Sequence, residues 1–308
     1  MDNHELVSPD DAPVALIVHN ENAGTDPIPR SEIEAVIRTA GFHSRYCAHG
    51  KDELDTALET HFDLIVSAGG DGTLAHIASC LRDIEKPIGI LPLGGSNNIA
   101  HALGVGGEWQ NLPSQWSLNR WIPLDRCEAD GPWGQRRFVE AAGVGLLTQS
   151  FEHVDDEPGT PAEKRANGRE AFRTALARAD AFPCSIDADG WRWHGDCLMV
   201  EVMSIPYVGA RLKLAADGDP GDGLFDVVVV TPDDRDRLLA WAEAPDDMPC
   251  PIEPHRASTV RLAVEDHPFR LDDRSPDDGL SGDVTVRFRS QPVRILTPAQ
   301  PDRRSTHD

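Results

Sequence analysis

Apolar residues in the first third of the chain gather into short uninterrupted runs rather than alternating with polar ones. Val14-Ala15-Leu16-Ile17-Val18 and Asp63-Leu64-Ile65-Val66-Ser67 read as strands buried on both faces, and Ile88-Gly89-Ile90-Leu91 reads as a third. Between the first two lies Ser31-Glu32-Ile33-Glu34-Ala35-Val36-Ile37-Arg38, with helical apolar spacing, a Ser in N-cap position and Gly41 placed to end it. A helical stretch follows the second run through about Leu81, and another covers Asn97 to Leu103. Strands alternating with helices predict a parallel sheet with right-handed crossovers, so residues 13–123 are expected to form a Rossmann-like α/β domain.

After Pro123 the pattern changes. Strand-like runs dominate: Phe138 to Ala142, Cys197 to Ser204, Phe225 to Val230, Val260 to Val264, Val284 to Phe288 and Val293 to Leu296, with turn residues between them. That is the pattern of an antiparallel β-sandwich or barrel, expected over residues 124–298. Helices are expected at Pro161 to Ala181 and within Asp233 to Glu243, and loose ends at residues 1–12 and 299–308.

Composition narrows the classes. Hydrophobic residues make up 40% of 308 residues, enough for a core and too many for global disorder. No apolar run approaches the ~18 residues of a membrane span. The polar, acidic start Met1-Asp2-Asn3-His4-Glu5 is unlike a secretory signal, which points to a cytoplasmic protein. Lys plus Arg number 29 against 52 Asp plus Glu, a net −23 that repels nucleic acid and anionic lipid. Contact with a membrane then requires a local apolar or basic patch. None of the six cysteines forms a Cys-x-x-Cys pair, so neither a zinc site nor a thioredoxin-type motif is indicated.

Chemistry is concentrated in loops that follow the buried strands. Gly69-Gly70-Asp71-Gly72-Thr73 separates a strand from a helix, where glycines let backbone amides approach a phosphate and the helix start adds partial positive charge. A carboxylate is unusual there. Asp71 fits if it orients Mg²⁺ or accepts a proton from an attacking hydroxyl. The loops His19 to Gly24 and Leu91 to Asn98 end the other two strands, so all three are expected at the carboxyl edge of the sheet, where ligands bind. Ser96, Asn97 and Asn98 can cap a helix or bind ribose or phosphate. His76 and His101 can touch phosphate or lie on the surface. Trp109, Trp116, Trp121 and Trp133 straddle the domain junction, either as packing or as a lining for an acyl chain.

These residues resemble the diacylglycerol kinase catalytic domain family, which includes bacterial lipid kinases and sphingosine kinases and is distantly related to NAD kinases. Gly69 to Thr73 is identical to its Gly-Gly-Asp-Gly-Thr signature, and Asn20 to Gly24 is similar to its Asn-Pro-x-Ala/Ser-Gly. Pro92 to Ala100 is similar to its Pro-Leu-Gly-Thr-x-Asn-Asp-Phe-Ala, Phe138 to Leu146 to its Phe-x-Asn-x-Ala-Gly-x-Gly, and Asp219 to Val228 to its Asp-Asp-Gly-x-Leu-Asp-Val-Val. The resemblance implies a nucleotide domain, a β-sandwich and an active cleft between them. It implies ATP, Mg²⁺ and phosphoryl transfer to a lipid with a free hydroxyl, diacylglycerol- or sphingoid-like, with transient contact at the inner membrane face. A homo-oligomer is compatible with the sequence, which fixes no oligomeric state.

Carried over residue by residue, the resemblance places the nucleotide against Asn20, Glu21, Asn22, Ala23 and Gly24, and against Gly69, Gly70, Asp71, Gly72, Thr73, Leu74 and Ala75. Gly94, Gly95, Ser96 and Asn97 complete that set, with Gly95 where the family often has Thr. Asp219, Asp222 and the Leu224 carbonyl match a Mg²⁺ site; by spacing alone they are equally an acidic turn. The chain also departs from the pattern. Ala75-His76 replaces Asn-Glu after the signature, and Asn98 replaces the Asp of the second loop. The late Asp-Gly-Glu, whose Glu is assigned as proton acceptor in bacterial members, falls on Asp272-Asp273-Arg274, and an Arg is no base. Asp272 or Asp273 then stands in, or Asp71 acts alone; a second alignment uses Asp278-Gly279-Leu280. Two other readings stay open: a catalytically impaired nucleotide- or lipid-binding module, and an NAD-kinase-like enzyme with a soluble acceptor.

Overall fold

The computed structural model describes residues 12–82, 84–151, 159–276 and 282–297. The ends of the chain expected to be loose, and the Asp278-Gly279-Leu280 alternative, lie outside the described residues apart from Ala12. Five strands and their helices arise early: β1 Val14–His19, β2 His43–Ala48, β3 Leu64–Gly69, β4 Ile88–Pro92 and β5 Trp121–Leu124, with α1 Arg30–Thr39, α2 Lys51–Leu58, α3 Asp71–Cys80 and α4 Asn98–Ala102. The sheet order is β2-β1-β3-β4, then the returning strand Val293–Leu296, then β5. The returning strand is parallel to β4 and antiparallel to β5. Residues 64–69 of β3 are all buried, as an unbroken apolar run in a sheet covered on both faces requires.

The second unit is a sandwich. One sheet holds Cys127–Gly131, Gly134–Phe138, Phe182–Ala188, Trp191–Cys197, Thr259–Val264 and Gly282–Phe288; the other holds Ala141–Gly145, Met199–Met203, Phe225–Val230, His255–Ala257 and Phe269–Leu271. One apolar cluster fills the space between them, drawing Ile186, Leu262 and Val286 from the first and Val144, Val202 and Phe225 from the second. The outer face of the second sheet is covered by α5 Leu146–Phe151, α6 Pro161–Arg178 and α7 Arg235–Trp241, through Phe172, Leu176 and Trp241. Helix α6 starts in a capping box. Glu163 N–H donates to Thr160 Oγ1 at 3.3 Å, and Thr160 N–H donates to Glu163 Oε2 at 2.7 Å.

The two-part fold expected from the sequence is present, with two local differences. Val293–Leu296, assigned above to the sandwich, closes the α/β sheet beside β4, so the boundary at residue 123/124 is crossed by a returning strand. Phe138 to Ala142, expected as one strand, splits into Gly134–Phe138 and Ala141–Gly145. The reason lies in Asp272. Its carboxylate accepts the N–H groups of Val139, Glu140 and Ala141 at 3.2, 2.7 and 3.3 Å, taking the donors a continuous ladder would have used.

Candidate active site

Three loops leave the carboxyl ends of β1, β3 and β4 and pack on one another without room for side chains. A Cβ added to Gly94 would lie 2.6 Å from the Gly70 Cα, and one on Gly24 2.5 Å from the Leu93 carbonyl oxygen. Gly24 also has φ +81°, a left-handed conformation that favours glycine. Asn97, at φ 48°, locks the third loop: its Oδ1 accepts Gly94 N–H at 3.0 Å, and its Nδ2 donates to Gly94 O at 2.8 Å and to Pro92 O at 3.2 Å. Gly94→Ala must therefore push one loop off the other. The expected result is a stability loss of about 1–3 kcal/mol, the usual cost of overpacking, and loss of nucleotide-induced thermal stabilisation. An unchanged nucleotide response would show that the contact between these loops is not needed.

Asp71 begins α3 beneath these loops. Its Oδ2 accepts the Asn98 N–H at 2.8 Å and its Oδ1 accepts the Ile99 N–H at 2.9 Å, so it caps α4 from a neighbouring element. Burial raises its carboxyl above the usual range, the two amide donors pull it down, and Asp273 adds repulsion. A cavity of about 470 Å³ opens above it. Asp71, Gly72, Gly95 and Ser96 line one side, and Leu147, Ala171, Phe172 and Leu212 supply an apolar wall from the second unit. Glu140, Asp272, Asp273, Asn98, Lys164 and Arg270 stand where the two sides meet.

The structure separates the two candidate bases. Asp272 is held by three backbone amides, and burial pushes its pKa up to about 6 against those donors. Asp273 is exposed and reaches the glycine loop: a Cβ on Gly72 would lie 3.4 Å from its Oδ2. Arg274 stands beside it, Nε to Oδ1 at 3.7 Å. Behind them Arg270 and Glu201 form a buried ion pair at 2.5 Å that spans the Ala141–Gly145 strand at Gly143, where a Cβ would lie 2.3 Å from Glu201 Oε1.

Asp219, Asp222 and Leu224, suggested by resemblance as metal ligands, line no part of this cavity. Asp222 Oδ1 accepts the Leu224 N–H at 2.9 Å, and its Oδ2 pairs with Arg256. Asp219 Oδ1 accepts the Gly221 N–H at 3.1 Å. The loop is thus arranged as an acidic turn with a guanidinium where a cation would bind. Among the described residues no group of three or more His, Cys, Asp and Glu side chains is disposed to hold a metal ion.

The tryptophans also lie elsewhere. Trp116 packs in the α/β core, Trp109 against that core, Trp133 beside Phe269, and Trp121 against Arg294, so none lines the cavity. His76 meets His49 edge-on at 5.1 Å, and His101 meets Tyr207 at 4.8 Å. Glu140 and Arg270 went unnoticed in the sequence. The one available signal for Glu140 was an acid within an otherwise apolar run, which is costly unless the group has a partner or a task.

An α/β sheet with glycine loops at the carboxyl ends of its parallel strands thus faces a β-sandwich across a cavity. Residues 14–129 match the family model described as the diacylglycerol kinase catalytic domain. The "Probable lipid kinase YegS-like" protein of Klebsiella pneumoniae (strain 342) is 23% identical over 301 residues, spanning 94% of this chain and 97% of that protein. The crystal structure of a diacylglycerol kinase from Bacillus anthracis str. Sterne shares the fold at 17% identity, with a TM-score of 0.70 over 92% of this chain and 96% of that one. Yeast NADH kinase, solved with NADH, shares it more distantly, at 12% identity and a TM-score of 0.51 over 94% of this chain and 84% of that one.

Proposed function

We propose that this chain transfers the γ-phosphate of ATP to the hydroxyl of a lipid, diacylglycerol- or sphingoid-like. The carrying observation is the cavity, which joins the phosphate-type glycine loops to an apolar wall of Leu147, Ala171, Phe172 and Leu212. A soluble dinucleotide acceptor would call for polar partners along that wall; an acyl chain calls for what is there. The glycine loops fit a polyphosphate: Gly95 on the cavity wall has open space where a Cβ would stand, and Thr73 Oγ1 nearby is buried without a hydrogen-bond partner. Mg²⁺ is taken to arrive with ATP as part of the substrate. The protein's own part is to hold the donor phosphate against the loops and the hydroxyl at the cavity junction, since phosphoryl transfer depends mainly on positioning and charge neutralisation.

A wider groove of about 1130 Å³ carries Arg165, Arg211 and Lys213 beside the Arg169–Asp246 and Arg173–Glu243 pairs, with Met248, 60% exposed, also on it. In a chain of net charge −23, the Arg165, Arg211 and Lys213 side of this groove, with Met248, is where a transient membrane contact at the inner face is proposed. Among the described residues no helix is long and apolar enough to cross a membrane.

The test is radiolabelled ATP with purified protein and mixed vesicles containing diacylglycerol, a sphingoid base or neither, with NAD as a separate soluble acceptor. Label in the diacylglycerol or sphingoid product is the expected result. Label in NAD instead moves the chain to the NAD-kinase-like reading. Nucleotide-induced stabilisation without transfer to any acceptor makes it a binding module.

A further inference from the structure

Four carboxyl groups line the cavity, and they are not equivalent. Both oxygens of Asp71 accept backbone amides, as do those of Asp272. Asp273 is exposed beside Arg274. Glu140 is the fourth. It is 7% exposed, and its Oε1 accepts the Asn98 Nδ2 hydrogen bond at 2.7 Å. Asn98 is itself held by Nδ2 donation to the Gly209 carbonyl at 3.1 Å, while its Oδ1 is buried without a partner. The residue lines the cavity at the junction of the glycine loops and the apolar wall.

The pair has a further property. The segments around it resemble patterns with Asp at the position of Asn98 and Asn at the position of Glu140. Here the two residue types are exchanged, which puts the carboxyl on the sandwich side of the pair and the amide on the nucleotide-domain side. The same chain has Arg at 274, where the resembled pattern ends in Glu.

We propose that Glu140 is the proton acceptor for the attacking hydroxyl, oriented by Asn98. This rests on the phosphotransferase reading above. In the step, the acceptor oxygen forms its bond to the γ-phosphorus while its proton passes to the Glu140 carboxylate. The bond from the γ-phosphorus to the β,γ-bridging oxygen breaks, and ADP leaves with that electron pair. The protonated Glu140 then releases its proton to solvent through the open cavity, so no other reactant is needed. Asn98 fixes one oxygen of the Glu140 carboxylate by donation.

The charged groups around Glu140 set its behaviour. Asp71 from α3 and Asp272 and Asp273 from the segment after Phe269–Leu271 face it with like charge; Arg270 and Lys164 face it with opposite charge, and Glu201 sits behind Arg270. Burial, then Asp71 and Asp272, raise its carboxyl well above the usual value, against the Asn98 bond and Arg270. Only the ionised form accepts a proton, so turnover is expected to rise with pH through that raised value. A base of raised pKa is also a stronger one when ionised.

The experiment compares wild type, E140Q and E140D in the vesicle assay across pH, with nucleotide-induced thermal shift as the control for folding. For E140Q the expected result is a fall in kcat of about 100-fold or more. Nucleotide stabilisation is retained, and the pH-dependent limb disappears. E140D, shorter by one methylene, is expected to keep a limb at reduced kcat with KM for ATP little changed. E140Q with wild-type kcat and an unaltered limb overturns the proposal. So does a limb that vanishes in D273N and persists in E140Q. If E140Q does not fold, E140D decides: loss of the limb with the carboxyl still present overturns it. Wild type that transfers to no acceptor fails the underlying reading itself, a result distinct from active wild type beside an active E140Q.

Discussion

Arg270→Met is expected to lower the stability of the protein by about 3–5 kcal/mol, the usual cost of removing one partner from a buried ion pair. Arg270 and Glu201 are 2% and 0% exposed and meet at 2.5 Å between the sandwich and its covering helices. Arg270 also donates from Nη1 to the Asp272 carbonyl, holding the turn that presents Asp272 and Asp273 to the cavity. Without it, Glu201 is left as a buried acid with no counter-charge. Burial already raises its carboxyl, with Arg270 as the opposing influence, so in the variant Glu201 must stay protonated or disrupt the sheet. The sign of the pH dependence follows. A folded-state pKa raised above the unfolded one gives stability that is present at acid pH and lost as pH rises through the folded value. The defect should therefore be smallest near pH 4 and grow toward neutrality. Adding Glu201→Leu should recover much of the loss, because a well-packed apolar pair can replace a buried ion pair at little cost. Urea unfolding at several pH values checks this, and a loss below 1 kcal/mol in the single variant would sink it.

The strands that could be read in advance were those whose burial is complete. β1 and β3 are continuous apolar runs because helices cover both faces of their sheet, and sequence shows that directly. β2 was not legible: it is an edge strand, His-Ser-Arg-Tyr-Cys-Ala, with one fully buried position. The place of Val293–Leu296 was not legible either, since an apolar run says that a strand is buried and not in which sheet. The site divides in the same way. Its glycine loops were visible because close backbone approach demands glycine at fixed positions, as at Gly24 and Gly94. The acids were not. Asp219, Asp222, Asp272, Asp273 and Glu140 are the same chemistry on paper. What separates them is which amide, arginine or cavity each one meets, and residues as distant in sequence as Asp272 and Val139 decide that.

Asp71→Ala is expected to cut phosphoryl transfer by about 100-fold or more while costing about 1–2 kcal/mol of stability. The two effects share one origin. Asp71 is the link between the starts of α3 and α4: it belongs to the first helix and accepts the first two amides of the second. Those amides have no intrahelical partner, so losing the carboxylate leaves two donors unsatisfied and frees the loop carrying Gly94 to Asn97 to move. A shift of about 1 Å in that loop is enough to misplace the donor phosphate. Asp71→Asn separates this role from a chemical one. The amide oxygen of Asn still accepts one of the two N–H groups, so a positioning role predicts that D71N keeps part of both stability and turnover. A proton-accepting role predicts that D71N is as inactive as D71A, since an amide accepts no proton at working pH. Turnover and urea unfolding measured together on the two variants decide it. With the carboxylate already committed to α4, the graded outcome is the expected one, and equal inactivity in D71N and D71A would return Asp71 to the chemistry of the step.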